Sequence, residues 1–253
     1  MNRAEKTEKT MRELYGSAQT ALAQTDPDFA AIKARLMYGE IYAEEKLSAR
    51  MRELVILAVA VTNQTMNEVR RHTAAALAAG VRPEDIKEAV YHCAPYIGLG
   101  KAENAVMAVN EVFEEKGIAM PLESGRTVTE ESRLADGIAV QKSIFGEHID
   151  AMRANAPQNR KNIQDYLSGY CFGDFYTRGF LSVPEREMLT FAVLCAQGGC
   201  EPQLKSHVKG NAGVGNTKED LLAALTVCIP YIGFPRTLNA LGCINEMLPE
   251  AGK

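Results

Sequence analysis

A long stretch of this chain is written twice. Leu47-Ser48 and Arg52-Glu53 recur 134 positions later as Leu181-Ser182 and Arg186-Glu187, and Tyr38-Gly39-Glu40-Ile41-Tyr42 recurs at the same offset as Phe172-Gly173-Asp174-Phe175-Tyr176. After one inserted residue the offset becomes 135. It then carries His72 to His207, Gly80 to Gly215, Cys93 to Cys228, Pro95-Tyr96-Ile97-Gly98 to Pro230-Tyr231-Ile232-Gly233, and Asn110-Glu111 to Asn245-Glu246. A register held over so many positions does not arise by chance, so the fold must use two copies of one unit of roughly 120 residues, near the lower end of domain size. The first copy is expected over residues 1–118 and the second over 129–253. Residues 119–128, with Pro121, Ser124 and Gly125, join them as a linker.

Each copy reads as helices. Leu54, Leu57, Ala58 and Val61 fall at i, i+3, i+4 and i+7, the stripe of a helix with one buried face. Ser182-Val183-Pro184-Glu185 has a capping hydroxyl followed three residues on by a carboxylate, which marks the start of the matching helix in the second copy. The histidine-bearing helices end near Gly80 and Gly215, where glycine can take the left-handed conformation, and Pro83 suits the first turn of the next helix. No stretch alternates with period two, so the expected class is all-α, two tandem helical-bundle repeats.

With 46% hydrophobic and 24% charged residues, the chain has the material for a packed core. A net charge of -4 without a dense basic run argues against nucleic acid as a partner. The charged segment Met1–Thr10 is unlike a signal peptide, and no run reaches the eighteen uninterrupted apolar residues of a membrane helix, so a cytoplasmic location and no membrane contact are expected. The six cysteines lie in or beside apolar helical stretches, and most are expected to be reduced, buried thiols.

Several side chains could carry chemistry. Glu68 and His72 are four apart on one helix face, where the carboxylate would orient the ring and raise its basicity, although the same spacing also serves solvent-exposed helix pairs. In the second copy Gly198-Gly199-Cys200-Glu201-Pro202 places Cys200 near a helix N-terminus, which would lower a thiol pKa. His207 lies two turns further on the same face and Glu187 comes from the preceding helix. The three could form a proton relay around a thiolate, or Cys200 could be one more small buried apolar residue. Cys93 and Cys228, inside apolar runs, are expected in the core. His92 and His148 have no counterpart and are read as incidental. No four-ligand set of Cys and His suggests a metal.

In order, Arg52-Glu53, Glu68-Val69-Arg70-Arg71-His72, Ala79-Gly80-Val81 and Ala94-Pro95-Tyr96-Ile97-Gly98 resemble the carboxymuconolactone decarboxylase and alkyl hydroperoxidase D-like superfamily. Arg186-Glu187, Leu204-Lys205-Ser206-His207, Val214-Gly215 and Ile229-Pro230-Tyr231-Ile232-Gly233 resemble it again in the second copy. The resemblance covers almost the whole chain and implies an all-α bundle of the alkyl hydroperoxidase D-like fold. It also implies sites at or near subunit contacts and no cofactor. In the peroxidase branch a Glu precedes Cys-x-x-Cys and a His. The second copy matches with Glu187, Cys200 and His207 but has Gln203 in place of the second cysteine, and the first copy has Thr65 and Glu68 at the cysteine positions.

The resemblance therefore implies acid-base decarboxylation of a small carboxylated lactone by Glu53, Glu68 and His72, with Arg52, Arg70, Tyr96 and Tyr231 on the substrate. An alternative is a thiol peroxidase or disulfide reductase using Cys200, with Cys195 or a thiol reductant protein resolving it. A third reading is a catalytically degenerate subunit. Because single-copy members form rings of six, three fused chains are expected to close a homotrimer of roughly 80 kDa, with Ala74–Ala79 as a candidate contact.

Overall fold

The computed structural model describes residues 1–16, 21–42 and 46–250, and among these it contains helices and no strand. The first repeat holds α1 (Arg3–Tyr15), α2 (Pro27–Ala34), α3 (Ala49–Thr62), α4 (Met66–Ala78), α5 (Pro83–Ile97) and α6 (Leu99–Glu115). The second holds α7 (Arg133–Phe145), α8 (His148–Ala154), α9 (Gln158–Tyr166), α10 (Val183–Gln197), α11 (Glu201–Gly213) and α12 (Lys218–Met247). Residues 118–129, between α6 and α7, carry no helix.

The capping box at Ser182 forms as the sequence suggests, Pro83 opens α5, and Gly80 and Gly215 take φ of 78° and 96°. One expectation needs correcting. A single buried stripe was foreseen on α3, yet every residue from Glu53 to Thr62 is buried, as is Arg186–Ala196 on α10. The reason is that the two copies interleave: α3 packs on α4 and α5 of its own repeat and on α10 and α12 of the other, while α10 packs on α11, α12, α3 and α5. A helix covered on all sides has no polar face to keep. Each fully buried Leu, Ile or Phe contributes about 1.5–3 kcal/mol relative to exposure, so the outer faces of α3 and α10 are worth burying only when both copies are present.

In each repeat a π-helical segment follows the helix before the site, Arg35–Ile41 after α2 and Leu167–Tyr176 after α9. Glycines allow these segments to touch their neighbours: a Cβ on Gly173 would sit 2.1 Å from the carbonyl oxygen of Arg133, and one on Gly39 would sit 2.5 Å from that of Arg3. The first π segment is followed directly by Tyr42 and the second ends at Tyr176, and both tyrosines enter the sites described below.

The segment Lys218–Met247 is long and apolar enough by composition to cross a membrane, but its helix breaks at Gly233 (φ 73°, ψ 169°) and sends Leu221, Ala224, Cys228, Ala240 and Ile244 into the core. Within the candidate contact segment Ala74–Ala79, Ala75 and Ala76 are buried inside the chain itself, whereas Ala78 and Ala79 are exposed.

Candidate active site

The short loop Asn63–Thr65 joins α3 to α4, so Glu53 and His72 face each other across an antiparallel pair. His72 Nδ1 lies 2.7 Å from Glu53 Oε2, and both side chains are fully buried. The ring is therefore oriented by Glu53, not by Glu68 as the helix spacing suggested. Glu68 stands on the opposite side, its carboxylate 3.6 Å from Nε2. The Tyr231 hydroxyl, from the second repeat, lies 2.9 Å from the same nitrogen and 3.3 Å from the Tyr42 hydroxyl. Asn63 holds Tyr231 in place by donating to its carbonyl at 3.0 Å. Arg52 donates to Glu53 at 3.2 Å and lies over the Tyr42 ring.

Charge gathers around Glu68. Lys33 pairs with it at 3.0 Å and Arg71 pairs with it from one turn along α4. Burial opposes its ionisation, but the hydrogen bonds from His72, Arg71 and Lys33 outweigh burial and hold the carboxyl far below its usual range. For His72, burial would favour the neutral ring, yet the hydrogen bonds to Glu53 and Glu68 raise its pKa above the ordinary value. Glu68, Arg71, Lys33 and Tyr38 border a cavity of about 310 Å³, within the size range of small-molecule sites.

The second repeat builds a related but different centre. His207 Nδ1 lies 2.9 Å from Glu187 Oε2. The other carboxylate oxygen accepts from the Tyr176 hydroxyl at 2.6 Å, and Tyr176 lies 3.0 Å from the Tyr96 hydroxyl. Thr190 donates to Tyr96 at 2.9 Å, and His92 Nε2 lies 2.9 Å from Thr190 Oγ1. These contacts link His92 to Glu187 through Thr190, Tyr96 and Tyr176; Tyr176 also lies 2.8 Å from Thr190 Oγ1, and His92 Nε2 lies 3.0 Å from the Arg186 carbonyl. His92 is thus part of this centre and not incidental. Burial and then Arg186 keep its ring neutral by lowering its pKa well below the ordinary value, and its Nδ1 has no partner among the described residues. The positions matching Glu68, Arg71 and Lys33 are Gln203, Ser206 and Leu167, so the charged cluster of the first centre has no equivalent here.

The carboxymuconolactone decarboxylase family model matches residues 27–111 and again 161–246. The chain belongs to this family. It is 34% identical over 126 residues to 4-carboxymuconolactone decarboxylase of Acinetobacter baylyi, a match spanning 49% of this chain and 93% of that relative. A crystal structure from Burkholderia xenovorans LB400, described as a gamma-carboxymuconolactone decarboxylase subunit, superposes with a TM-score of 0.57. It is 21% identical and covers 95% of this chain and 94% of its own, which extends the tandem fold across both.

Within this family fold the other sequence candidates separate. Tyr96 and Tyr231 each enter the centre of the opposite repeat, because α5 packs on α10 and α12 on α3. Arg70 turns away from His72 to pair with Glu111 at 2.6 Å on the surface, and its neighbour Arg71 borders the cavity instead. Cys200 occupies the N-cap of α11 but makes no capping contact, and its thiol lies 3.5 Å from the Leu194 carbonyl. Burial, then Glu201 and Cys243, push this thiol up, opposite to the expected activation. The His207 ring faces Tyr96 and Phe145. All six cysteines are free, and burial lifts Cys195 well above the usual thiol range and Cys93 and Cys228 to about 12. Sequence reasoning missed Tyr42, Tyr176, Lys33, Arg71 and Thr190. The tyrosines could have been found, since they end the repeated segments Tyr38–Tyr42 and Phe172–Tyr176.

Proposed function

We propose that this chain decarboxylates a small carboxylated lactone at the His72 centre of the first repeat. The observation that carries the reading is the charge asymmetry between two otherwise related centres: only the first sets Lys33 and Arg71 at the wall of a cavity beside a buried, carboxylate-held histidine. The substrate carboxylate pairs with those two cations, Arg71 offering a planar fork. The bond to the carboxylate carbon breaks, carbon dioxide leaves, and the electron pair passes into the unsaturated lactone as an enolate. His72, protonated at Nε2, returns a proton to carbon as general acid. Glu53 fixes the ring through Nδ1, Tyr231 steadies Nε2, and Glu68 keeps the imidazolium charged beside the cavity. The lactone carbonyl is itself the electron sink, so no cofactor is required for this step. Incubation with 4-carboxymuconolactone is expected to release one carbon dioxide per substrate consumed. Release no faster than in buffer overturns the reading.

We also propose that three chains associate. Exposed apolar residues recur at matched positions of the two copies: Phe29 and Ile32 correspond to Ile163 and Tyr166, and Leu99 to Phe234, all between 60% and 68% exposed. A face carried twice by one chain suits alternating contacts around a closed ring of second copies, with pseudo-sixfold symmetry. Light scattering is expected to return roughly 80 kDa, as three chains require. A stable monomer at micromolar concentration rules this out.

A further inference from the structure

A second cavity, of about 540 Å³, belongs to neither histidine centre. Its walls come from α5 and α6, from the inter-repeat segment around Met120–Ser124, and from Arg178 and Phe180 of the second repeat. Lys87 reaches this wall from α5 and is only 6% exposed. Among the described residues its ammonium donates to Oδ1 of Asn110, faces the rings of Tyr91 and Phe113 at 5.8 and 5.7 Å, and pairs with no carboxylate. Burial pushes its pKa below that of an ordinary lysine. A buried cation is costly unless an anion accompanies it, and here the adjoining space could hold one.

The neighbouring charges do not supply that anion. Glu88 is already engaged by Arg178 at 2.8 Å and by Arg186 at 3.0 Å, so this inner carboxylate is shared between two other cations. Glu84 is half-buried and Glu123 is exposed at the rim, and neither pairs with Lys87. The half-buried Tyr91 hydroxyl has no hydrogen bond to a described residue, while Val106, Leu122 and Phe180 add apolar surface. The arrangement is particular to the first repeat. Lys87, Glu88 and Tyr91 correspond to Leu222, Ala223 and Thr226, and the crevice beside Ala223 and Thr226 measures about 10 Å³.

We infer that this cavity binds a small organic acid, its carboxylate on Lys87 and the Tyr91 hydroxyl and its apolar body against Leu122, Val106 and Phe180. The site is distinct from the one that would hold the lactone, and its test separates the two. Calorimetric titration of the full chain with benzoate is expected to show one site per chain, with benzamide at least about tenfold weaker because it lacks the charge. Lys87→Met should weaken benzoate by about tenfold or more, as expected for loss of a charged hydrogen-bond donor, whereas Arg71→Ala should leave it unchanged. In native wild-type protein, benzoate should also slow acetylation of Lys87 by acetic anhydride several-fold by peptide mass spectrometry, a readout independent of whether Lys87→Met folds. Absence of benzoate binding, equal affinity for benzamide, or no protection of Lys87 overturns the inference. So does binding lost in Arg71→Ala and kept in Lys87→Met, which would place the acid in the His72 cavity.

Discussion

His72→Ala lowers the rate of carbon dioxide release from a carboxylated lactone by about a hundredfold or more, the usual loss when a general acid is removed. Glu53→Gln is expected to cost nearly as much, although Glu53 is sealed behind the ring. It is the partner of Nδ1 at 2.7 Å, and together with Glu68 it raises the His72 pKa against the opposing effect of burial. The pH dependence follows in sign. A histidine held above its ordinary pKa of about 6.5 keeps its proton to higher pH than a free imidazole, so a rate needing the imidazolium falls only as pH rises through that raised value. Replacing Glu53 by Gln removes a stabilising charge and moves that fall to lower pH. Arg71→Ala should instead raise KM more than it lowers kcat, because it removes a partner of the substrate carboxylate. Steady-state rates of the three variants between pH 5 and 9 test this, and an unmoved alkaline limb in Glu53→Gln would remove Glu53 from the positioning role.

The histidine, one carboxylate and the tyrosine of this centre were visible in the repeat, because an offset of 134 or 135 marks Glu53, His72 and Tyr231 without any knowledge of packing, and Glu68 was visible from its four-residue spacing to His72. Which tyrosine serves which histidine was not visible. That depends on α5 crossing to α10 and α12 crossing to α3, contacts between segments far apart in the chain. The same crossing hid the full burial of α3, since a stripe of apolar residues reports only the face that a single repeat would cover. The exchange of Arg70 for Arg71 was within reach of helix geometry: Arg71 is i+3 from Glu68 and shares its face, whereas i+2 does not. Tyr42 directly follows one π-helical segment and Tyr176 ends the other, and the register of these segments differs from the 3.6-residue period used to read helices. For Cys200, position alone suggested activation. The outcome turned on where the thiol points, back to Leu194, and on the neighbouring Glu201.

Glu88→Ala is expected to destabilise the fold by about 3–5 kcal/mol, the range for removing one member of a buried ion pair. Glu88, on α5 of the first repeat, is 2% exposed and bridges two arginines of the second. Arg178 approaches both of its oxygens, at 2.8 and 3.0 Å. Arg186 is the more vulnerable partner, being fully buried, with Nη2 also donating to the carbonyls of Arg178 and Gly179 while Nε and Nη1 have no partner among the described residues. Without Glu88 the Arg186 cation keeps only neutral acceptors, in surroundings that already push its pKa down through burial. In a chain of this size the loss corresponds to a fall in Tm of about 6–20 °C, at about 2–4 °C per kcal/mol. Calorimetry or circular-dichroism melting measures it. The double change Glu88→Leu with Arg186→Met should recover much of the loss, because apolar side chains of similar volume often replace a buried pair without cost. A single-variant loss below about 1 kcal/mol, the value of an exposed pair, would mean that water or a shifted side chain reaches Arg186, and that the triad does not bind the two repeats together.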